Sequence, residues 1–322
     1  MTEWIKALIL GAVQGVTEFL PISSDGHLLL TQKLFDGFTG QRTSGKENLF
    51  FDVMLHVGTL LAIVVYFRAV AKTGAKGLLG SESVAPGYRR SAVIRTGLLA
   101  ILATTPLIPL KLFFMDWIKQ SYQSLTADGI GFLITAGALL VAGRLQRGDE
   151  SGKGPAEMTW LDALLIGIAQ MFAPLPGVSR SGLTIAAGLG LGLSRAWAVG
   201  FSLLIAVPAI LGATASELKD LDRSTMTSDR VTQIVAAAAL AGLVGYGAII
   251  WLVKIVRSGR IWYFSVYLIV LGLAVLAAVA AGFDSMTDPT GAPPNARREK
   301  AADGSVRGGG EGPPAVVPSR SG

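Results

Sequence analysis

Apolar residues run in blocks along this chain, and most blocks have the length of a membrane span. A helix needs about 20 predominantly apolar residues to cross the hydrocarbon core of a bilayer. Six stretches qualify, roughly Phe50–Phe67, Val93–Phe114, Gly129–Leu145, Ala196–Ala215, Val231–Ile255 and Trp262–Ala281. Two further apolar regions, roughly Trp4–Phe35 and Trp160–Leu193, are broken in the middle by Pro, Ser and Gly. Proline removes a backbone donor and clashes inside a helix. A break at membrane depth is tolerated only where it is buried in protein or lines a polar cavity. The pattern predicts an all-α polytopic membrane helix bundle, with about six spanning helices and two re-entrant helical hairpins.

The two broken regions are copies of one unit. Shifted by 156 residues, Leu8-Ile9-Leu10-Gly11-Ala12-Val13-Gln14 meets Leu164-Leu165-Ile166-Gly167-Ile168-Ala169-Gln170. In the same register Pro21-Ile22-Ser23-Ser24-Asp25-Gly26 meets Gly177-Val178-Ser179-Arg180-Ser181-Gly182. Three spans follow each hairpin, and an odd number of crossings inverts the second copy. Inverted repeats with broken helices place a site near the midplane, where the breaks meet. Residues 1–283 thus read as one membrane domain, with repeats at about 1–146 and 157–283.

Charge supports this reading. Half of the 322 residues are hydrophobic, 16% are charged and mean hydropathy is +0.53, whereas soluble domains carry about 25% charged residues. The net charge of +6 lies largely in short loops beside apolar spans, so it points to membrane topology and not to nucleic acid. Basic loops follow the first, third and fifth spans, and a mixed-charge loop, Glu217–Arg230, follows the fourth. Basic loops in the cytoplasm would leave the termini outside. The start of the chain lacks a basic leader and a cleavage site, and reads as mature protein. The loop Thr73–Tyr88 reads as mobile. From 284 to 322 the chain is rich in Gly, Pro, Ala and Ser, with five basic and five acidic residues, a composition expected to stay disordered. No cysteine and only two histidines, His27 and His56, are present, which excludes disulfides, thiolate sites and a His-rich metal cage.

The breaks also hold the residues with chemistry. Gln14 and Glu18 share a helix face at i, i+4. Glu18 sits in the apolar run Val16-Thr17-Glu18-Phe19-Leu20, so it needs a polar cavity and a partner. Ser23 and Ser24 suit a helix start, where free N–H groups bind anions. Gly26 permits close backbone approach, and Gly182 is its counterpart. Ser24 is a candidate nucleophile and His27 a candidate general acid or base. The planar fork of Arg180 suits phosphate oxygens; a structural ion pair, with Glu18 as one partner, is its alternative task. Ser179, Ser181 and Thr184 offer hydroxyl donors. With Gln14, Ser23, Gly26 and Gly182 they complete a candidate substrate-binding set. Asp52 and His56, also i, i+4, are candidate supporting partners. One carboxylate, one imidazole, one guanidinium and two glycine-rich helix starts suit phosphoryl transfer. A Ser24–His27–Glu18 acyl-transfer triad would leave Arg180 without a task.

At these residues the chain resembles the undecaprenyl-diphosphate phosphatase family of the bacitracin-resistance type. The likeness rests on Gln14-Gly15-Val16-Thr17-Glu18-Phe19-Leu20-Pro21-Ile22-Ser23-Ser24-Asp25-Gly26-His27 and on Pro176-Gly177-Val178-Ser179-Arg180-Ser181-Gly182-Leu183-Thr184. Phe51-Asp52-Val53-Met54-Leu55-His56-Val57-Gly58-Thr59 looks familial too. The resemblance spans roughly residues 1–282. It implies hydrolysis of undecaprenyl diphosphate to the monophosphate carrier lipid and phosphate, in a multi-pass protein of the bacterial cell membrane. It also implies a divalent cation, Mg²⁺ or Ca²⁺, with Glu18 as a ligand, and catalytic positions at Glu18, Ser24, His27 and Arg180. Gln14 takes a position that is Glu or Gln in that family. Asp25 departs from its usual Thr or Ser, and the added charge calls for a metal or Arg180 to offset it. The expected partners are a polyprenyl diphosphate and membrane lipids, with a homodimer left open. The rival reading is a transporter or flippase of an anionic lipid or solute, which the same inverted repeat would suit.

Overall fold

The computed structural model describes residues 2–39, 45–114, 118, 124–145, 152–217 and 227–283. The expected disordered tail and most of the mixed-charge loop lie outside these residues. Twelve α-helices form in the described residues, and no strand does. They are α1 (Thr2–Phe19), α2 (Ser24–Thr39), α3 (Gly45–Tyr66), α4 (Arg68–Leu78), α5 (Arg90–Thr104), α6 (Leu107–Phe113), α7 (Leu125–Leu145), α8 (Trp160–Met171), α9 (Arg180–Gly190), α10 (Arg195–Glu217), α11 (Ser228–Arg257) and α12 (Trp262–Ala280). Five apolar helical segments are long enough to cross a membrane, and a sixth if α3 counts with α4, bent from it by 65°. The chain is an all-α, integral multi-pass membrane protein.

Helices lie at all six expected spans, the first long enough to cross only if counted with α4, and both broken regions are helix pairs, α1/α2 and α8/α9. The segment Thr73–Tyr88, expected to be mobile, continues α4 to Leu78 and then forms a 3₁₀ turn at Pro86–Tyr88. Gly77 lies buried against the Tyr88 carbonyl there, a close contact that a count of loop-forming residues does not reveal.

Packing exchanges partners between the two halves. Helix α1 packs on α11, and its counterpart α8 packs on α5. Helix α3 likewise packs on α11, and α10 on α5. Helix α7 pairs with α12, and α3 with α10. Each of these elements in one half thus packs on the partner of its counterpart in the other. In lipid, helices associate through close packing of small residues, since lipid tails are as apolar as side chains. A Cβ on Gly11 would lie 2.5 Å from the Ala237 carbonyl oxygen, and one on Gly167 would lie 2.4 Å from that of Ala103. The two glycines aligned in the repeat therefore seat equivalent helix crossings.

Gly58 makes the tightest crossing of α3 on α11, 2.0 Å from the Ala238 oxygen to a would-be Cβ. Gly58→Val should force these helices apart and cost about 1–3 kcal/mol, read as a lower thermal midpoint of the detergent-purified protein. Gly137, with open space around it, is the control: its valine variant should melt like the parent. Equal melting of both variants would contradict the packing account.

Candidate active site

Each helix pair is joined by a short loop, and the two loops touch. The first runs between Phe19 and Ser24, and the second between Met171 and Arg180. Ser181 Oγ donates to the Leu20 carbonyl across the contact (3.1 Å). Local chemistry shapes both loops alike. Ser179 Oγ accepts from Gly182 N at 3.0 Å, and Ser23 Oγ accepts from Gly26 N at 3.4 Å. Each cap satisfies one first-turn N–H, and the remaining first-turn groups are donors of the kind that hold phosphate. Each loop also contains a left-handed residue, Gly177 at φ +72° and Ser23 at φ +70°. Glycine adopts this conformation freely. At Ser23 it carries strain of about 1–3 kcal/mol, stored beside the candidate nucleophile.

Helix α7 is the strut that fixes both loops. Thr135 Oγ1 accepts from Ser179 N (3.0 Å). A Cβ on Gly177 would strike the Asp128 carbonyl oxygen at 2.1 Å. The fully buried Phe132 ring lies under Gly26, leaving 2.6 Å to a would-be Cβ. Gly26 thus gives close approach to a ring and to the other loop.

Glu18 stands at the centre, buried at the end of α1. Its Oε1 accepts from Arg180 Nη2 at 2.7 Å. Its Oε2 accepts from Ser24 Oγ at 2.9 Å and from Gln14 Nε2 at 3.0 Å. His56 Nδ1 lies 3.1 Å from the same oxygen and 2.8 Å from Gln14 Nε2. The other ring nitrogen of His56 faces Asp25 Oδ1 at 3.8 Å. Asp52 accepts from Gln32 Nε2 at 3.3 Å. The guanidinium of Arg180 is only half used: Nη1 is buried and has no hydrogen-bond partner among the described residues. Buried donors are nearly always paired, which sets this nitrogen apart from the other donors of the site.

The expected residues divide into three groups. Glu18, Ser24, Arg180 and Gln14 come together. Ser23, Ser179, Ser181 and Thr184 spend their hydroxyls inside the protein, Thr184 on Ser202 at 2.6 Å. His27 faces away from Glu18. Its Nδ1 donates to the Ser23 carbonyl (2.7 Å), its Nε2 meets the Tyr267 hydroxyl (2.7 Å), and its ring packs edge-on against Phe132. The imidazole that touches Glu18 is that of His56. Its position four residues after Asp52 in an apolar span was the signal for it. Thr135 and Tyr267 gave no signal, being ordinary members of apolar runs.

This arrangement places a serine hydroxyl on a carboxylate, and beside it a guanidinium and two helix starts. These are the kinds of group that phosphoryl transfer uses. The sequence profile of the bacitracin resistance protein BacA family matches residues 7–274, so the chain belongs to that family. It is similar to the undecaprenyl-diphosphatase of Carboxydothermus hydrogenoformans, 38% identical over 280 residues, covering 86% of this chain and 98% of that protein. It is likewise similar to the undecaprenyl-diphosphatases of Desulfosudis oleivorans (40% identical; 84% of this chain, 96% of that one) and Nocardioides (35% identical; 88% and 98%).

Removing one partner of a buried ion pair leaves the other charge uncompensated, at a cost of about 3–5 kcal/mol. Arg180→Gln and Glu18→Gln should each lower the thermal midpoint. The double variant should recover much of that loss, because the two sites are coupled. Strictly additive losses would show that the pair does not hold the loops together.

Proposed function

We propose that this chain is a polyprenyl-diphosphate phosphatase of the bacterial cell membrane, hydrolysing undecaprenyl diphosphate to undecaprenyl phosphate and inorganic phosphate. That activity regenerates the carrier lipid used in cell-wall synthesis, and it accounts for resistance to bacitracin. The observation that carries the reading is the Arg180 fork, with one arm on Glu18 and the buried other arm unpartnered.

In this reading Arg180 Nη1 and the first-turn N–H groups of α2 and α9 hold the terminal phosphate. Their charge stabilisation and positioning supply most of the catalysis, as phosphoryl transfer requires. Ser24 Oγ attacks the terminal phosphorus and passes its proton to Glu18 Oε2, 2.9 Å away. The bridging P–O bond breaks, and undecaprenyl phosphate leaves as an anion that needs no proton. Water then attacks the phosphoserine; Glu18 returns the proton it took to the Ser24 oxygen as the Ser24–phosphorus bond breaks, and the protons of the water leave with inorganic phosphate. His27, one turn along α2 from Ser24, exchanges protons at the outer edge of the site.

This reading calls for a divalent cation beside the diphosphate. Gln14 Oε1 is buried without a donor among the described residues, and the carboxylates of Glu18 and Asp25 both face His56. No cluster of three or more His, Asp or Glu occurs among the described residues. The protein thus offers part of a hard-cation shell, to be completed by substrate phosphate and water, as is usual for Mg²⁺. Glu18, Gln14 and Asp25 would hold it. Bound there, it would offset the diphosphate charge.

The direct assay is phosphate release from undecaprenyl diphosphate by the purified protein. Glu18→Gln, Arg180→Ala and Ser24→Ala should each lower kcat/KM by about 10²–10³-fold, the loss typical of one transition-state contact. Full activity in both the Glu18 and Arg180 variants would overturn the site, and full activity in Ser24→Ala alone would assign the attack to water.

A further inference from the structure

Where α3 ends, the chain turns by 65° into α4. The rings of Tyr66 and Phe67 meet edge to face at this corner, with centroids 4.9 Å apart. Aromatic side chains gather in this way at the edge of a bilayer. Helix α4 itself has two unlike faces. Arg68, Lys72 and Lys76 recur at i, i+4 and i+8 and form one stripe about 12 Å long. Val70, Gly74 and Leu78, offset by two residues, form the opposite stripe. Gly74 faces Val93 of α5. Val70 and Leu78 are exposed, and Leu79 just beyond the helix is 89% exposed. The chain returns in close contact: Gly77 is buried against the Tyr88 carbonyl, which brings the backbone of Arg89 and Arg90 beside the end of α4. From Arg68 to Arg95 the chain has six cations and one acid, Glu82. Arg95 donates to the Pro155 and Met158 carbonyls, and Arg68 reaches back to the Val65 carbonyl (2.9 Å). Lys72, Lys76, Arg89 and Arg90 are exposed and form no ion pair among the described residues.

We propose that this corner docks on anionic phospholipid headgroups, with α4 lying along the bilayer edge. The inference goes beyond the proposed phosphatase activity and does not depend on it. Three features favour a lipid surface over a soluble acidic partner. The corner continues a membrane span directly, so headgroups lie beside it wherever the span is seated. A helix with basic residues on one face and apolar residues on the other settles at that depth. Exposed Leu78 and Leu79 beside unpaired cations call for hydrocarbon and negative charge within one side chain's length, and a lipid supplies both. A neutral headgroup would leave the four cations uncompensated, whereas the negative potential of an anionic leaflet attracts each Lys and Arg near it. Docking would also bear on the bundle. Helix α5 leaves this corner and packs on α8 of the second helix pair, where Gly167 meets Ala103.

The chain has no cysteine, so Leu79→Cys provides a single site for an environment-sensitive fluorophore. The labelled full-length protein is placed in nanodiscs of phosphatidylcholine alone and in nanodiscs that also contain phosphatidylglycerol. Phosphatidylglycerol should shift the emission to the blue and lower quenching by aqueous acrylamide at least about threefold. High salt, which shortens the screening length to about 3 Å at 1 M, should reverse both changes. The combined variant Lys72→Gln, Lys76→Gln, Arg89→Gln, Arg90→Gln should lose them as well, while keeping the parent's thermal midpoint in phosphatidylcholine. If that variant does not fold, the salt titration of the parent decides. Equal quenching in the two lipids would overturn the proposal. Protection by phosphatidylglycerol that survives high salt would overturn it too, because the cations would then have no part in it. Protection by a soluble acidic peptide in phosphatidylcholine discs, with none from phosphatidylglycerol, would give this face to an aqueous partner instead.

Discussion

Glu18 and Arg180 lie 162 positions apart in the sequence and 2.7 Å apart in space, in the interior of an apolar bundle. Either charge alone would be expensive there. Together they bring the loop after α1 against the loop before α9, and the contacts of Ser24, Gln14 and His56 are arranged around that meeting. Ser24, Gln14 and His56 converge on one oxygen of Glu18 and leave the other to Arg180. An uncompensated carboxylate would repel a diphosphate. A carboxylate balanced by Arg180, whose Nη1 has no partner among the described residues, can coexist with one.

The bundle makes this meeting possible through an approximate two-fold exchange of partners. Helix α1 leans on α11 as α8 leans on α5, with Gly11 and Gly167 allowing the same backbone approach at both crossings. The halves have diverged where chemistry demands it. The first copy carries Glu18 where the second has Pro174, and the second carries Arg180 where the first has Ser24. Symmetry therefore governs the scaffold and not the site. Helix α7 locks the asymmetric centre by supporting both loops, through Phe132 on one side and Thr135 on the other.

Much of this was legible in the sequence because membranes penalise polar groups strongly. Broken helices announced themselves through Pro, Ser and Gly inside apolar runs, and Glu18 and Arg180 through their cost in such runs. What stayed hidden depended on long-range placement. Nothing local shows that Ser24 bonds to Glu18 and not to His27, or that His27 turns toward Tyr267, 240 positions away. The rotation of α2 against α12 decides that, and tertiary packing sets it. The sequence offers the hydroxyls of Ser179, Ser181 and Thr184 as phosphate donors but not their bonds within the protein, which depend on how the helices pack. The helical course of α4 was hidden for the same reason, since its polar surface resembles that of a loop.

The central claim is that the spare arm of Arg180 and the hydroxyl of Ser24 receive the phosphate between the two loops. The most direct measurement is a structure with a non-hydrolysable methylene analogue of a prenyl diphosphate bound. The account predicts a terminal phosphate oxygen about 3 Å from Arg180 Nη1, the phosphorus in line with Ser24 Oγ, and the Glu18–Arg180 contact preserved. A phosphate seated away from both loops, with Arg180 Nη1 still unpartnered, would contradict it.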